Sequence, residues 1–175
     1  MQTALRHLST AELEQGLADV LESPRDVGTL EWIIVRPARN ERCTVASAVL
    51  SPELGIDGDR WIEEQSERIE TANQVSLMNA RILRQVAGEE QAVCLAGDNL
   101  IVDFDLGEEY LPAGSRIAIG DNVILEVTEA SHTGCTNFAA RCGADARAFV
   151  NNERGKALHL RGRYARIIAG GTIEE

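Results

Sequence analysis

From Gly28 onward the chain never holds one direction for long. Its β-branched and aromatic runs, such as TLEWIIV, CTVASAVLS and QVSLM, are each closed within a few residues by Gly, Pro, Asp or Asn. Runs of this length and composition suit strands, and the residues bounding them are those that turns require. Further β segments are expected at 99–104, 115–119 and 122–129, separated by turn sequences such as GEE, LPAG and GDN. Many short strands with few helices restrict the fold to a β-barrel or sandwich carrying attached helices. The expected class is mainly β, all-β to α+β.

Helical periodicity is confined to a few places. At 8–22, Ser9 and Glu12 form a capping box and Leu8 with Leu13 the matching staple. Leu13, Leu17, Val20 and Leu21 then recur on one face until SPRDVG ends the segment. This helix is expected to pack outside the main body, as an N-terminal extension over 1–27, with one domain over 28–175. A second helix runs through NARILRQVA and a third lies near 143–150. The tail, ALHLRGRYARIIAGG, reads as a strand or a bent pair. There is no internal repeat or low-complexity tract, and 175 residues suffice to bury a core without staples.

The net charge of −11 opposes general binding to nucleic acid or to an anionic membrane. No apolar run approaches the ~20 residues a membrane span needs. The first residues lack the basic start, apolar block and cleavage site of a signal peptide, so the expected location is cytoplasmic. In such a reducing compartment Cys43, Cys94, Cys135 and Cys142 are expected as free thiols. Of 17 basic residues only Lys156 is a lysine. The arginine excess fits either base composition or bidentate anion recognition. The single lysine argues against Schiff-base chemistry.

Chemistry concentrates in EVTEASHTGCTNFAARCG. Cys135 follows a strand end, with His132 and Gly134 before it and Arg141 after it. Positive and hydrogen-bonding neighbours favour the thiolate. Such a sulfur suits a nucleophile, a persulfide carrier or a ligand to a soft metal; burial as a small apolar residue is the alternative. His132 and Cys135, with Cys142, have spacing that could seat zinc, but the usual fourth ligand is not visible. Cys43 and Cys94 sit in apolar runs and are expected in the core. GIDGDRW ends in Arg60, which either closes a tight loop or faces an anion. GDNL offers Asp98 and Asn99 for a turn or a heterocycle edge. In LRGRYAR, alternation places Arg161 and Arg163 on one face, opposite Tyr164, where they need an anion or carboxylates as partners.

Taken in order, GIDGDRW, QVSLM, GDNL, GDNVILEVTEASHTGC, NFAARCG and GRYARIIAGGTI resemble a MOSC domain, the C-terminal module of molybdenum-cofactor sulfurases. The likeness covers most of 28–175. It implies a closed antiparallel β-barrel with a few helices, and a cleft built around the cysteine. Cys135 matches the family's cysteine, which binds molybdenum in amidoxime-reducing members and is thought to carry persulfide sulfur in sulfurases. The resemblance places Asn99 at the family's pterin-cleft Asn and implies Arg60, Arg141, Arg163 and Arg166 as contacts for the phosphate of a molybdenum cofactor, with His132 also among the cofactor-binding residues. The residues before 28 are not expected to supply the additional N-terminal barrel of the reductases. No stretch of 1–175 is expected to form the PLP domain of the sulfurases, so PLP is an association of the wider family and not expected here. Three functions follow from the resemblance. The first is an oxidoreductase acting on N-hydroxylated compounds with an electron-donor protein. The second is a sulfur carrier fed by a cysteine desulfurase, and the third a non-catalytic binding module.

Overall fold

The computed structural model describes residues 6–66, 69–88, 95 and 97–175. Ten strands run through it: β1 Thr29–Val35, β2 Cys43–Val45, β3 Ser47–Ser51, β4 Gly55–Ile56, β5 Val75–Asn79, β6 Leu100–Asp103, β7 Arg116–Ile119, β8 Val123–Val127, β9 Arg163–Ala169 and β10 Gly171–Glu174. The helices are α1 Thr10–Leu21, α2 Ala80–Ala87, α3 Thr136–Cys142, α4 Ala144–Asn151 and α5 Glu153–Ala157. The fold is mostly β, as expected. Seven strands form a curled half-barrel in the order β2-β1-β6-β5-β9-β8-β7, and a second sheet has the order β10-β3-β4. Every pairing is antiparallel except β5 with β6, which is parallel. Parallel neighbours need a crossover, and α2 lies on the connection between them.

Period-two alternation divides the side chains of the central strands between two cores. Ile33, Leu77 and Leu100 point inward with Leu50, Ile56 and Ile173 of the smaller sheet, which therefore covers the concave face. Their neighbours Ile34, Met78 and Ile101 point outward under the helices. All five residues of β5 are buried in consequence. This explains why QVSLM lacks the polar alternation of a half-exposed strand.

The capping box of α1 is present, with the Ser9 side chain and the Glu12 backbone N–H paired and Glu12 returning to the Ser9 N–H. The helix does not lie outside the body. Leu13 and Leu17 are 0% and 2% exposed and join Ile82, Leu83 and Phe149 in the outer core. Gly16 allows this approach, because a Cβ there would collide with the Gln85 side chain, whose Nε2 donates to Leu13 O at 2.7 Å. Asn79 caps α2 by accepting from Arg81 N and Ile82 N. The helix expected near 143–150 is α4, with α3 directly before it and α5 directly after it. Of the strand or bent pair expected for the tail, the strand is β9, and β10 leaves for the other sheet after Gly170.

Candidate functional site

The site is built around two adjacent residues, Asp98 and Asn99, just before β6. Asn99 is fully buried. Its Oδ1 accepts from Ser76 N and Ser76 Oγ at 3.1 Å and from Arg36 Nη2 at 3.0 Å. Its Nδ2 donates to Asp59 Oδ2 at 2.9 Å and Ile34 O at 3.3 Å. Asp59 grips Arg36 through two contacts, Nε to Oδ2 at 2.8 Å and Nη2 to Oδ1 at 3.1 Å. Burial pushes the Asp59 carboxyl up, but Arg36 and the N–H groups of Arg36 and Trp61 outweigh it and hold it below its usual range. The amide of Asn99 is thus committed within the protein. It positions Arg36 and the β1–β6 junction and has no group left to offer a heterocycle.

Asp98, 1% exposed, faces the other way. Arg161 Nη1 donates to its Oδ2 at 2.7 Å, and His132 Nε2 stands 3.5 Å from its Oδ1. His132 stacks on Tyr164 with ring centroids 4.1 Å apart, and the Arg161 guanidinium lies 5.1 Å from the centre of the Phe138 ring. Burial pushes His132 down to about 4, against the pull of Asp98 and with the help of Arg161 and Arg36. It is therefore neutral at neutral pH. Among the described residues, Asp98 Oδ1, His132 Nδ1 and Arg161 Nε are buried without a hydrogen-bond partner.

Cys135 occupies the N-cap position of α3 and is exposed. Partial burial raises its thiol pKa, but the backbone N–H groups of Phe138 and Asn137 and the Arg161 charge lower it further, so the net shift is toward the thiolate. The other described cysteines differ. Cys142 is 2% exposed, and burial pushes its thiol up. Cys43 is exposed on β2, an edge strand, rather than in the core as its apolar run predicts. The core placement read for Cys94 lies outside the described residues. No group of three or more His, Cys, Asp or Glu that could hold a metal occurs among the described residues, so His132, Cys135 and Cys142 do not form a zinc site.

Two cavities border this segment. One, of about 430 Å³, is lined by Arg36, Arg39, Arg42, Arg60, Arg141 and Asn137, with Glu41 and Glu64. Arg60 is held by Glu64 at 2.6 Å and by Ala38 O at 3.2 Å. Arg141 donates to Leu95 O at 3.0 Å and lies against Gly97, where a Cβ would come within 2.8 Å of its Nη1. The other cavity, of about 340 Å³, is lined by residues including His132, Lys156, His159, Arg161 and Arg163. There Arg163 and His159 share Glu108 Oε2, each at 2.8 Å. In sequence Cys135 lies between the two, since Thr133 lines the second cavity and Asn137 the first.

The predicted site residues therefore fall into groups. Arg60 and Arg141 share the arginine cleft, and His132 and Arg163 share the second cavity, each beside the Cys135 segment. Arg161 and Arg163 both line the second cavity, each with a carboxylate, but Arg161 precedes β9 and Gly162 between them has φ +110°, so strand alternation does not set their placement. Arg166 is exposed on the outer face of β9, paired with Glu126, and lines neither cavity. Arg36, Arg39 and Arg42 escaped attention in the sequence, although three arginines within seven residues before β2 were a visible signal.

No protein-family model matches the chain, and no curated protein does. Solved structures do. The YuaD protein of Bacillus subtilis superposes with a TM-score of 0.60 at 18% identity, over 84% of this chain and 91% of that one. YiiM of Escherichia coli gives 0.53 at 18% identity, over 83% and 65%. A hypothetical protein gives 0.54 at 20% identity, over 82% and 62%. The matched part of this chain thus spans less than two thirds of the last two. At these identities the likeness establishes the fold alone.

Proposed function

We propose that the chain is a MOSC-domain protein whose Cys135 thiolate holds molybdenum, as a pterin cofactor, in an oxidoreductase that reduces N-hydroxylated compounds. The observation that carries this reading is an accessible thiol, biased toward its thiolate, at the N-cap of α3, whose Asn137 and Arg141 line a cleft of five arginines in a chain of net charge −11. The fit is chemical. A thiolate is a soft donor suited to molybdenum, and guanidinium groups suit an anionic phosphate. When bound, the cofactor supplies the electron transfer. The protein's own residues do the rest. Arg60 and Arg141, with Arg36 and Arg39, would face the anionic part, and the backbone N–H groups of Phe138 and Asn137, with the Arg161 charge, favour the thiolate. His132, kept neutral by burial, turns Nε2 toward Asp98 and leaves Nδ1 for a proton. The test is metal analysis of protein from a host that makes the cofactor. Near-stoichiometric molybdenum, lost in Cys135→Ser, is expected; wild-type protein without molybdenum, or a Cys135→Ser variant that retains it, contradicts the reading.

A second reading is favoured by one observation: Cys135 is exposed and lines neither cavity, so a partner protein can reach it. In this reading the thiolate attacks the sulfane sulfur of a cysteine desulfurase persulfide. The new S–S bond forms on Cys135, and the donor cysteine leaves as thiolate. Cyanide-labile sulfur present in the wild type and absent in Cys135→Ser, with no molybdenum, selects this carrier role over the reductase. Labelling that falls on another cysteine rejects it.

A further inference from the structure

The half-buried apolar side chains bordering the inner core are not spread evenly. Of six among the described residues, five gather at one place: Leu30, Phe104, Tyr110, Ile117 and Ile119. They line an open cavity of about 800 Å³ whose floor includes Leu77, Val102 and Leu111, which are 1%, 8% and 5% exposed. The cavity sits at the Thr29–Leu30 end of β1, whereas the arginine cleft sits beyond Val35 at Arg36. A strand of seven residues separates them by ~20 Å, so this is a different mouth of the barrel.

The walls are open because β7 is the last strand of its sheet. Ile117 and Ile119 pair with Leu125 and Val123 of β8, both 0% exposed, yet are themselves only half covered. Apolar cavities of several hundred Å³ at barrel mouths are common sites for small organic ligands. The rim sets the charge. Its lining includes Asp26, Glu174, Glu175 and Arg116. Arg116 is held by Glu126 at 3.3 Å, and nearby Arg25, 5.6 Å from the Tyr110 ring centre, is held by Asp105 at 3.0 Å. Glu175 accepts from Ile33 N at 3.0 Å. Asp26 and Glu174 have no cation partner among the described residues. Phe104 and Tyr110, packed edge to face at 5.9 Å, add aromatic surface that favours a cation.

We propose that this mouth binds an amphipathic organic cation, with its apolar body on Leu30, Phe104, Ile117 and Ile119 and its charged group at Asp26 and Glu174. Three probes of equal chain length test it: octyltrimethylammonium, octanesulfonate and octanol, titrated into the protein and followed by NMR and calorimetry. Saturable binding of the ammonium, with shifts at Leu30, Ile117 and Ile119, is expected to be about tenfold or more tighter than that of the sulfonate. Ile117→Trp, which fills the space, is expected to weaken the ammonium about tenfold. The exposed pair Asp26→Asn with Glu174→Gln is expected to abolish the preference for positive charge while keeping the octanol affinity. Because that pair lies on the surface, the charge assignment is tested even if Ile117→Trp fails to fold. Absence of saturable binding by all three probes, or equal affinity for sulfonate and ammonium, overturns the proposal. So does concentration-dependent self-association that Ile117→Trp abolishes, because the mouth then serves a second copy of the chain.

Discussion

Asp98 and Asn99 are neighbours and equally buried, at 1% and 0% exposure, but their surroundings satisfy them unequally. Both polar side-chain atoms of Asn99 are paired, through Ser76, Arg36, Asp59 and Ile34. Around Asp98 three buried atoms lack a partner among the described residues: Asp98 Oδ1, His132 Nδ1 and Arg161 Nε. Unpaired buried polar atoms are costly, and native proteins keep few of them away from working sites. One residue therefore anchors the barrel, and the next belongs to a group with capacity left for a ligand. Cys135 stands on the second side.

Substitutions can break or sharpen this contrast, beginning with the largest effect. Asp59→Ala removes the carboxylate that pairs Arg36 and accepts from Asn99 Nδ2 and Trp61 N, and is expected to cost about 3–5 kcal/mol of folding stability in urea unfolding. A loss below about 1 kcal/mol would place Asn99's network outside the anchor role. The next effect is acid sensitivity from His132. Folding lowers its pKa from 6.5 to about 4, so the unfolded chain takes up a proton that the folded chain refuses between those values. The stability involved is fully present above pH 6.5, and falls by about 3 kcal/mol as pH drops through that window. His132→Phe, which keeps a ring against Tyr164, should flatten this part of the pH–stability curve; an unchanged curve assigns the acid sensitivity elsewhere.

Cys135→Ser touches the other side. The residue is exposed, so unfolding free energy should change by less than about 1 kcal/mol even though bound metal or sulfur is lost. A larger loss would make Cys135 structural. Arg166→Gln should do least, under about 0.5 kcal/mol and with no loss of bound molybdenum, since an exposed pair with Glu126 contributes little. A marked loss of metal in that variant would return Arg166 to the site.

The sequence made local matters plain. The Ser9–Glu12 box and the strand at QVSLM follow from local spacing and composition alone. What it concealed depends on partners far along the chain. Whether Leu13 and Leu17 meet α2 turns on Gly16 letting Gln85 approach, which no local pattern encodes. Cys43 reads as core because its run is apolar, yet β2 is an edge strand and its outer side is open. Asn99 looks like a recognition residue until Arg36 and Asp59, from 63 and 40 residues away, are seen to occupy it. Cys135 stood out because Gly134, His132 and Arg141 surround it. Its strongest charged neighbour, Arg161, is brought there only by the fold.

The central claim is that the fold biases an accessible sulfur toward its thiolate. The direct measurement is the pH dependence of Cys135 alkylation by iodoacetamide, resolved by peptide mass spectrometry in the native and the denatured chain. The midpoint for native Cys135 is expected below that of the same residue in denaturant, with Arg161→Met moving it upward. A native midpoint equal to or above the denatured one would contradict the account.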